Sequence, residues 1–321
     1  MAGWVLGQAG LKTRTRKGLA ALILGANMPD IDVFFGNAPW DPLAIHRGFT
    51  HGIVGGVLLM PPLLAGLLWA LDRWQIGNDK QFKSGLPLRI GWLVLLCYIG
   101  ALTHPLLDVL TTYSVQLLSP FSKDWYHADG LFIIDLWVWL ALALGIGISK
   151  MREKSGRPWR WPAITAIIAV LGYIGMNLLI TWVANEKLRN CSECGGPPRA
   201  VFASPPPIEF WKRDMVWRDG DCYRRARYTP GDFGPVSACE PTNMDDPVVR
   251  EAIRRDPALR KFLKWSILPQ AEVERGRCSA HVAIGDARYG QGRRSRLARE
   301  TVIPIDGPGC PPSLDNSRPS S

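Results

Sequence analysis

Four long apolar segments restrict what this 321-residue chain can fold into. They cover about residues 52–71, 90–110, 131–149 and 162–184. Each is close to the ~20 apolar residues that a helix needs to cross the hydrocarbon core of a bilayer. We therefore expect a mainly α protein whose residues 1–188 form a polytopic helical membrane domain.

Two shorter apolar stretches precede these segments, at residues 2–11 and 18–28. Neither reaches the length of a membrane span, and Pro29 ends the second one. Two interpretations stay open. The stretches form a helical hairpin packed on the other helices, or the first is the remnant of a membrane helix truncated at its start.

The basic residues of this domain are concentrated in three loops, 12–17, 72–89 and 150–161. If every apolar segment crosses the bilayer, the three loops share one side, and the positive-inside rule makes that side cytoplasmic. Everything after residue 188 then lies on the opposite face. This pattern predicts a multi-pass protein of a bacterial inner (cytoplasmic) membrane with an extracytoplasmic C-terminal domain.

The C-terminal part is polar and rich in Pro, Gly and Arg. We expect residues 189–310 to form a small β-rich (α+β) soluble domain, followed by a disordered tail at 311–321. A single helix is expected over residues 247–264, with Asp246 as its cap and Pro247 at its first position. Basic and acidic residues are mixed here, so no nucleic-acid partner is expected.

Six cysteines lie in this C-terminal part: Cys191, Cys194, Cys222, Cys239, Cys278 and Cys310. An even number in a small polar domain predicts disulfides formed in an oxidising compartment. The spacing does not choose among the 15 possible pairings. A zinc ribbon that begins at Cys191-x-x-Cys194 is the alternative for that pair.

Charged side chains gather between apolar segments, where charge is costly. Asp30 and Asp32 are followed by His46, Arg47 and His51. Carboxylates and imidazoles beside a membrane predict a shared divalent metal ion. Alternate residues of an extended chain face the same way, which would let both carboxylates meet one ion. The arginine presents a fork of donors suited to a phosphate or carboxylate.

A structural interpretation of the same residues stays open. The aspartates would then cap a helix or a turn, and the histidines and the arginine would meet lipid headgroups. Thr50 suits a helix N-cap, which would place His51 in the first turn of the next helix. The glycines at positions 52, 55 and 56 would allow another helix to approach closely.

A second group of polar residues follows downstream. His104 and Asp108 have the i, i+4 spacing that places two ligands on one helix face. Asp129 and Asp135 flank an apolar run, and Asp129 at a helix start has capping as its alternative role. His127 is a candidate supporting residue. The predicted metal ligands are Asp30, Asp32, His46, His51, His104, Asp108 and Asp135, and the predicted catalytic residues are Arg47 and Asp129.

Two classes of chemistry lack their motifs. The chain has no Gly-x-Ser-x-Gly sequence, which argues against a covalent acyl-enzyme, and no glycine-rich phosphate loop, which argues against nucleotide chemistry. Cys97 lies inside an apolar segment and is expected to be inert.

Three spaced motifs resemble the membrane-bound metal-dependent hydrolase (YdjM-like) family. They are Pro29-Asp30-Ile31-Asp32, His46-Arg47-Gly48-Phe49-Thr50-His51 and Thr103-His104-Pro105-Leu106-Leu107-Asp108. The segment from Asp129 to Asp135 fits the same pattern, and the resemblance covers about residues 3–185. Members of the family start with a Thr-His pair shortly before a glycine. This chain begins just past that point, and we hypothesise a start site placed too late.

The resemblance implies a reaction as well as a fold. The family is similar to the zinc phospholipase C and P1 nuclease group, so metal-assisted hydrolysis is implied, with one to three divalent ions, zinc by expectation. The position at the membrane favours a phosphoester of a lipid or lipid-linked substrate. The lipid bilayer is the expected partner.

Two functions of other classes compete with the enzyme. A metal transporter or sensor would use the same residues but would need polar groups in the middle of the bilayer and on both faces. A non-catalytic membrane scaffold would bind a partner through its C-terminal domain. The clustering of the polar residues towards one face favours the enzyme.

Overall fold

The computed structural model describes residues 1–35, 48–82, 84–290, 295 and 297–305, and the side chains of all of these except 32–35. The chain divides into two compact units. Unit 1 comprises Met1–Ala184, Ala203–Arg213 and Thr229–Gly231, and unit 2 comprises Asn185–Phe202, Asp214–Tyr228 and Asp232–Ser321. The residues that we predicted to be disordered, 311–321, lie outside the described part.

Unit 1 is helical. Its helices are α1 (Ala2–Gln8), α2 (Gly18–Gly25), α3 (Met60–Gly77), α4 (Ile90–Val109), α5 (Leu136–Lys154) and α6 (Arg160–Arg189), which continues into unit 2. A π-helical segment, Ile53–Leu59, leads directly into α3, and 3-10 turns cover Leu11–Thr13 and Met28–Phe35. The short helices α1 and α2 pack on each other and on the longer ones, which confirms the predicted hairpin.

Among the described residues, three helices are long and apolar enough to cross a membrane: Ile53–Gly77, Ile90–Val109 and Arg160–Arg189. The predicted span at 131–149 is not among them. Its helix, α5, begins five residues later than that range and ends at Lys154. Because charged residues crowd the last turn of α5, every stretch long enough to span also contains several charges.

The three basic loops meet at one end of unit 1, which we call the basic end. Lys12 pairs with Glu153 in the last turn of α5, with an N–O distance of 2.6 Å. Arg16 pairs with the buried Asp72 of α3 at 2.7 Å. The backbone of Arg89, just before α4, donates to the Thr15 hydroxyl at 2.8 Å. Since α4 begins here, its last turns lie at the opposite end.

Helices α2 and α4 approach so closely that their backbones touch. A Cβ atom on Gly25 would lie 2.8 Å from the Cys97 carbonyl oxygen, and one on Gly100 would lie 2.7 Å from the Leu22 carbonyl oxygen. Only glycine fits at such a crossing. The contact brings the C-terminal end of α2 beside the last two turns of α4.

Apolar side chains fill the space between α2, α3 and α4 from the middle of the unit towards the basic end. The buried members of this cluster are Ala21, Leu22, Leu64, Ala65, Leu68, Leu93, Leu96 and Cys97. A second cluster joins α1, α5 and α6. The helical unit is therefore held by apolar packing, with its described charged side chains towards the two ends.

Unit 2 holds the β-structure. One sheet has the strand order β1 (Arg199–Ser204), β2 (Arg213–Asp219), β3 (Cys222–Thr229), β4 (Asp232–Phe233), with β5 (Glu240–Pro241) paired to β3. The other is antiparallel, β6 (Pro269–Arg275), β7 (Ser279–Asp286), β8 (Ala298–Pro304), with Val282 opposite both Val273 and Thr301. The predicted β-rich α+β fold is confirmed here.

The expected single helix at 247–264 is wrong in one respect. The structure has two helices, α7 (Pro247–Arg255) and α8 (Pro257–Trp265). Asp246 caps α7 through the backbone N–H of Val248, as predicted. A second Asp-Pro pair, Asp256-Pro257, ends the first helix and caps the next, because proline cannot donate the hydrogen bond that would continue it.

The described cysteines of unit 2 form disulfides. Cys191 is bonded to Cys194 and Cys222 to Cys239, and Cys278 is also disulfide-bonded. Cys310 lies outside the described residues. The zinc-ribbon alternative for Cys191 and Cys194 is wrong, because their sulfur atoms are joined to each other.

Candidate metal centre

Four predicted ligands converge at the end of unit 1 opposite the basic end. Asp30 Oδ1 lies 3.4 Å from His51 Nε2 and 3.0 Å from His104 Nε2. Asp108 Oδ2 lies 3.2 Å from His51 Nε2 and 3.7 Å from His104 Nε2. The two imidazole centroids are 5.1 Å apart. We call Asp30, His51, His104 and Asp108 the ligand cluster.

Three elements supply the ligand cluster. His104 and Asp108 lie one helical turn apart near the end of α4, as their spacing predicted. Asp30 lies in the 3-10 turn that follows α2. The predicted extended chain at Asp30 and Asp32 is therefore wrong, because the backbone there forms a 3-10 turn.

His51 lies in the loop that precedes the π-helical segment. The backbone of this loop folds directly onto that segment, and a Cβ on Gly56 would lie 2.7 Å from the Thr50 carbonyl oxygen. Gly55 and Gly56 therefore admit their own preceding loop, and Gly52 also admits the backbone of Ser119, instead of another helix. The predicted Thr50 cap is also wrong, since the N-cap is Gly52 and makes no side-chain bond.

The inner nitrogen of each histidine is also engaged. His104 Nδ1 lies 2.9 Å from the Ala26 carbonyl oxygen at the end of α2. His51 Nδ1 lies 3.0 Å from the Thr50 hydroxyl. A carbonyl oxygen only accepts, so Nδ1 of His104 carries a proton, and in the neutral ring Nε2 is left as a lone pair. Ligating histidines are oriented in this way in metal sites.

This arrangement requires a cation. A lone pair on His104 Nε2 and an oxygen of Asp30 repel each other at 3.0 Å, so a proton or a metal ion must lie between them. Burial opposes the protonation of His51, but its hydrogen bonds with Asp108 and Asp30 outweigh this effect, and the pKa of His51 is raised above its usual value.

Asp30, His51 and His104 each offer one ligand atom, and these three atoms lie within 4.8 Å of one another, as the ligands of one metal ion would. Asp108 Oδ2 adds contacts to both imidazoles. Two imidazoles and two carboxylates also match the nitrogen and oxygen ligands of zinc.

Access to the ligand cluster is one-sided. The side chain of His51 is fully buried, whereas that of Asp30 is 45% exposed. The imidazole therefore forms the floor of the site, and the carboxylate of Asp30 faces its opening.

Three other predicted residues cannot be assigned. His46 and Arg47 lie outside the described residues. The backbone of Asp32 is described as part of the Met28–Phe35 turn, but its side chain is outside the described part. Their predicted roles remain predictions.

Asp129, the predicted catalytic residue, is buried against a different segment. Its carboxylate accepts from the backbone N–H of Ala203 at 2.8 Å and lies 3.1 Å from His127 Nδ1. It precedes α5 by several residues in a left-handed backbone conformation, φ 49°, so it does not start a helix as predicted. Ala203 begins a segment, residues 203–213, that we call the strap.

Asp135 is the N-cap of α5 and is not inside a membrane segment. Its Oδ1 accepts from the backbone N–H groups of Trp137 and Val138, and its Oδ2 accepts from the Tyr173 hydroxyl at 3.0 Å. The Tyr173 ring packs edge-on against Phe210 of the strap. Within the described contacts, neither Asp135 nor Asp129 touches the ligand cluster.

A buried arginine completes the attachment of the strap. Arg213 donates to Thr181 Oγ1 at 2.8 Å and to the Asn177 carbonyl oxygen at 2.7 Å, both on α6. The sequence did not indicate a role for Arg213. It also did not indicate the role of Ala26, whose backbone carbonyl oxygen contacts His104. An arginine in a polar segment resembles any surface arginine, and a carbonyl oxygen leaves no trace in the side-chain pattern.

Comparison with protein families gives a match over the helical part of the chain. The family model described as "YdjM inner membrane protein" matches residues 1–184, which is more than half of the chain and includes the whole ligand cluster. No curated protein and no solved structure matches the chain.

Proposed function

Because the chain belongs to the YdjM inner membrane protein family, we propose that it is a membrane-bound, divalent-metal-dependent hydrolase. The substrate class that we propose is a phosphoester of a lipid or lipid-linked molecule. The observation that carries the proposal is the ligand cluster, in which two carboxylates and two imidazoles converge at the end of apolar helices. We also propose the distant relation to the zinc phospholipase C and P1 nuclease group that the motifs imply.

Each residue of the ligand cluster has a part in this proposal. Asp30, His51, His104 and Asp108 would hold the ion, and Ala26 and Thr50 orient the two imidazoles. The chemistry that such a site supplies when it is loaded is Lewis-acid activation of water and polarisation of a phosphoryl oxygen. Asp30, exposed at the opening, is the carboxylate best placed to meet an incoming substrate.

The proposed topology puts the basic end in the cytoplasm and the ligand cluster on the opposite face. Support comes from the three basic loops, which meet at one end of unit 1, and from the positive-inside rule. The disulfides of unit 2 also favour an oxidising, extracytoplasmic location for the C-terminal part.

A metal transporter or sensor is the second candidate, but the packing disfavours it. Among the described residues, α2, α3 and α4 enclose buried apolar side chains between the ligand cluster and the basic end. An ion pathway through a membrane needs polar groups along it. A non-catalytic scaffold does not explain why four ligand-type side chains share one small volume.

Hydrolysis assays on the full-length protein in detergent test the proposal. After loading with Zn²⁺ or Mn²⁺, we expect cleavage of bis(p-nitrophenyl) phosphate or of a phospholipid, and we expect a chelator to abolish it. Asp108→Asn and His104→Gln should reduce the rate by at least the roughly 10–100-fold that loss of a residue hydrogen-bonded to a metal ligand costs. His281→Gln is the matched control, because His281 is exposed on β7 of unit 2.

Two results would contradict the proposal. One is the absence of hydrolysis of any phosphoester by the metal-loaded protein. The other is metal flux through vesicles containing the purified protein without hydrolysis, which would favour the transporter.

A further inference from the structure

Large apolar side chains are exposed beside the ligands. Ile31 adjoins Asp30 and is exposed, and Phe49, two residues before His51, is exposed as well. The loop that follows α4 adds Leu118 and Phe121, and Phe121 is 77% exposed. We call Ile31, Phe49, Leu118 and Phe121 the apolar lip. Such residues are costly in water unless another apolar phase covers them.

The apolar lip is continuous with a membrane-crossing helix. A Cβ on Gly55, in the opening turn of the candidate span Ile53–Gly77, would overlap the carbonyl group of Phe49. A Cβ on Gly52 would lie 2.6 Å from the Ser119 carbonyl oxygen, which is close in sequence to Phe121. The backbone segments that carry Phe49 and Phe121 therefore lie against the start of the span.

The predicted ligands also lie near the end of a candidate membrane span. His104 is five residues before Val109, the end of the candidate span Ile90–Val109, which places it about 8 Å below that end. This is the boundary between lipid headgroups and acyl chains, where interfacial apolar side chains insert about 5–10 Å. Between His104 and Asp108, Leu106 is exposed on the surface of the span.

We propose that the apolar lip inserts into the bilayer and that the site takes its substrate laterally from the membrane. The substrate is then an amphiphile whose acyl chain lies against the lip while its phosphoester reaches Asp30. This inference rests on the proposed function for the phosphoester, but the insertion of the lip into lipid does not depend on it. A water-soluble phosphoester has no acyl chain, so it would gain no binding energy from these apolar side chains.

The first experiment compares two substrates. Phe49→Ser and Phe121→Ser are assayed on a long-chain phospholipid in vesicles and on bis(p-nitrophenyl) phosphate. We expect the ratio of the vesicle rate to the soluble rate to fall by about tenfold in each variant, since each loses one large apolar contact. Ile208→Ser, which removes an exposed apolar side chain of the strap, is the matched control and should keep the ratio.

The second experiment measures insertion without catalysis. An environment-sensitive fluorophore is attached to Phe121→Cys in the full-length protein in vesicles, where Cys97 is buried and the described cysteines of unit 2 are bonded. Lipids brominated on the acyl chain should quench this probe more strongly than a probe at Asp124→Cys, an exposed polar residue of the same loop.

The outcomes separate the two proposals. Quenching at position 121 without any hydrolysis would support the insertion and contradict the proposed function. Two results would overturn the proposal that the apolar lip inserts into the bilayer. One is hydrolysis in which the ratio of vesicle rate to soluble rate does not change in the variants, and the other is equal probe emission with and without brominated lipids.

Discussion

His104 Nδ1 lies 2.9 Å from the carbonyl oxygen of Ala26, which ties a predicted metal ligand on α4 to the C-terminal end of α2. The contact exists because the two helices cross at glycines, one of which is Gly100. It sets the tautomer of the imidazole and aims its other nitrogen at Asp30. The geometry of the ligand cluster therefore depends on a helix crossing that contains no ligand of its own.

Separating the two helices should weaken the site. In Gly100→Ala, the new Cβ would lie 2.7 Å from the backbone oxygen of Leu22, so α2 and α4 must move apart. We expect a loss of about 1–3 kcal/mol in the free energy of unfolding, together with weaker Zn²⁺ binding in calorimetric titration. Gly91→Ala in the same helix is the control, because a Cβ there has nothing within 4 Å. Equal behaviour of the two variants would contradict the crossing argument.

The Thr50 hydroxyl should strengthen Zn²⁺ binding because it orients the imidazole of His51. Since it lies 3.0 Å from His51 Nδ1, Thr50→Val removes the hydrogen bond with little change in shape. We expect Zn²⁺ affinity to fall by about 10–100-fold, while Thr50→Ser, which keeps the hydroxyl, retains most of it. If the valine and serine variants bind Zn²⁺ equally well, the hydroxyl does not orient the ligand.

Asp135 should affect stability but not metal content. Its carboxylate caps α5 and accepts from Tyr173. Asp135→Ala should lower the free energy of unfolding by about 1–2 kcal/mol, measured by thermal denaturation in detergent. The bound metal, measured by elemental analysis, should not change. Loss of metal in this variant would restore Asp135 as a ligand, as its sequence position predicted.

The C-terminal unit should lose stability in acid through Asp286. Burial opposes its charge, but hydrogen bonds from Arg288 and Ser266 outweigh burial and lower the pKa of Asp286. A carboxylate with a lowered folded-state pKa stabilises the fold above its unfolded pKa, about 3.9. That contribution is lost as the pH falls through the lower folded value.

Replacing this carboxylate tests its contribution directly. Asp286→Asn leaves Arg288 buried without its carboxylate partner and should cost about 3–5 kcal/mol at pH 7. The cost can be followed as faster proteolysis of unit 2 in the full-length protein. Asp245→Asn, at an exposed position, should be cut at the wild-type rate. Wild-type resistance in the Asp286 variant would show that the pair adds no net stability.

The features that could be predicted from the sequence are those that depend on local residue patterns. The i, i+4 spacing of His104 and Asp108 predicted that the two side chains share one helix face, and they do. Their binding of a metal ion stays a prediction. The N-cap role of Asp135 was not predicted, because an aspartate before an apolar run has the same pattern whether it caps a helix or binds an ion. The break at Pro257 had a signal, since its Asp-Pro pair repeats the one that starts α7.

Other features depend on packing between distant segments. No pattern in the chain shows that the carbonyl oxygen of Ala26 faces His104, because the glycine crossing of α2 and α4 decides it. The strap is a similar case. Its attachment to α6 through Arg213 joins residues more than thirty positions apart.

The central claim is that Asp30, His51, His104 and Asp108 bind one divalent ion, and elemental analysis tests it most directly. The full-length protein is purified in detergent, loaded with Zn²⁺, freed of excess metal and measured beside His104→Ala and the control His281→Ala. We predict at least one tightly held ion per chain in the wild type and the control, and its loss in His104→Ala. Equal metal content in all three proteins, or none in the wild type, would contradict the account.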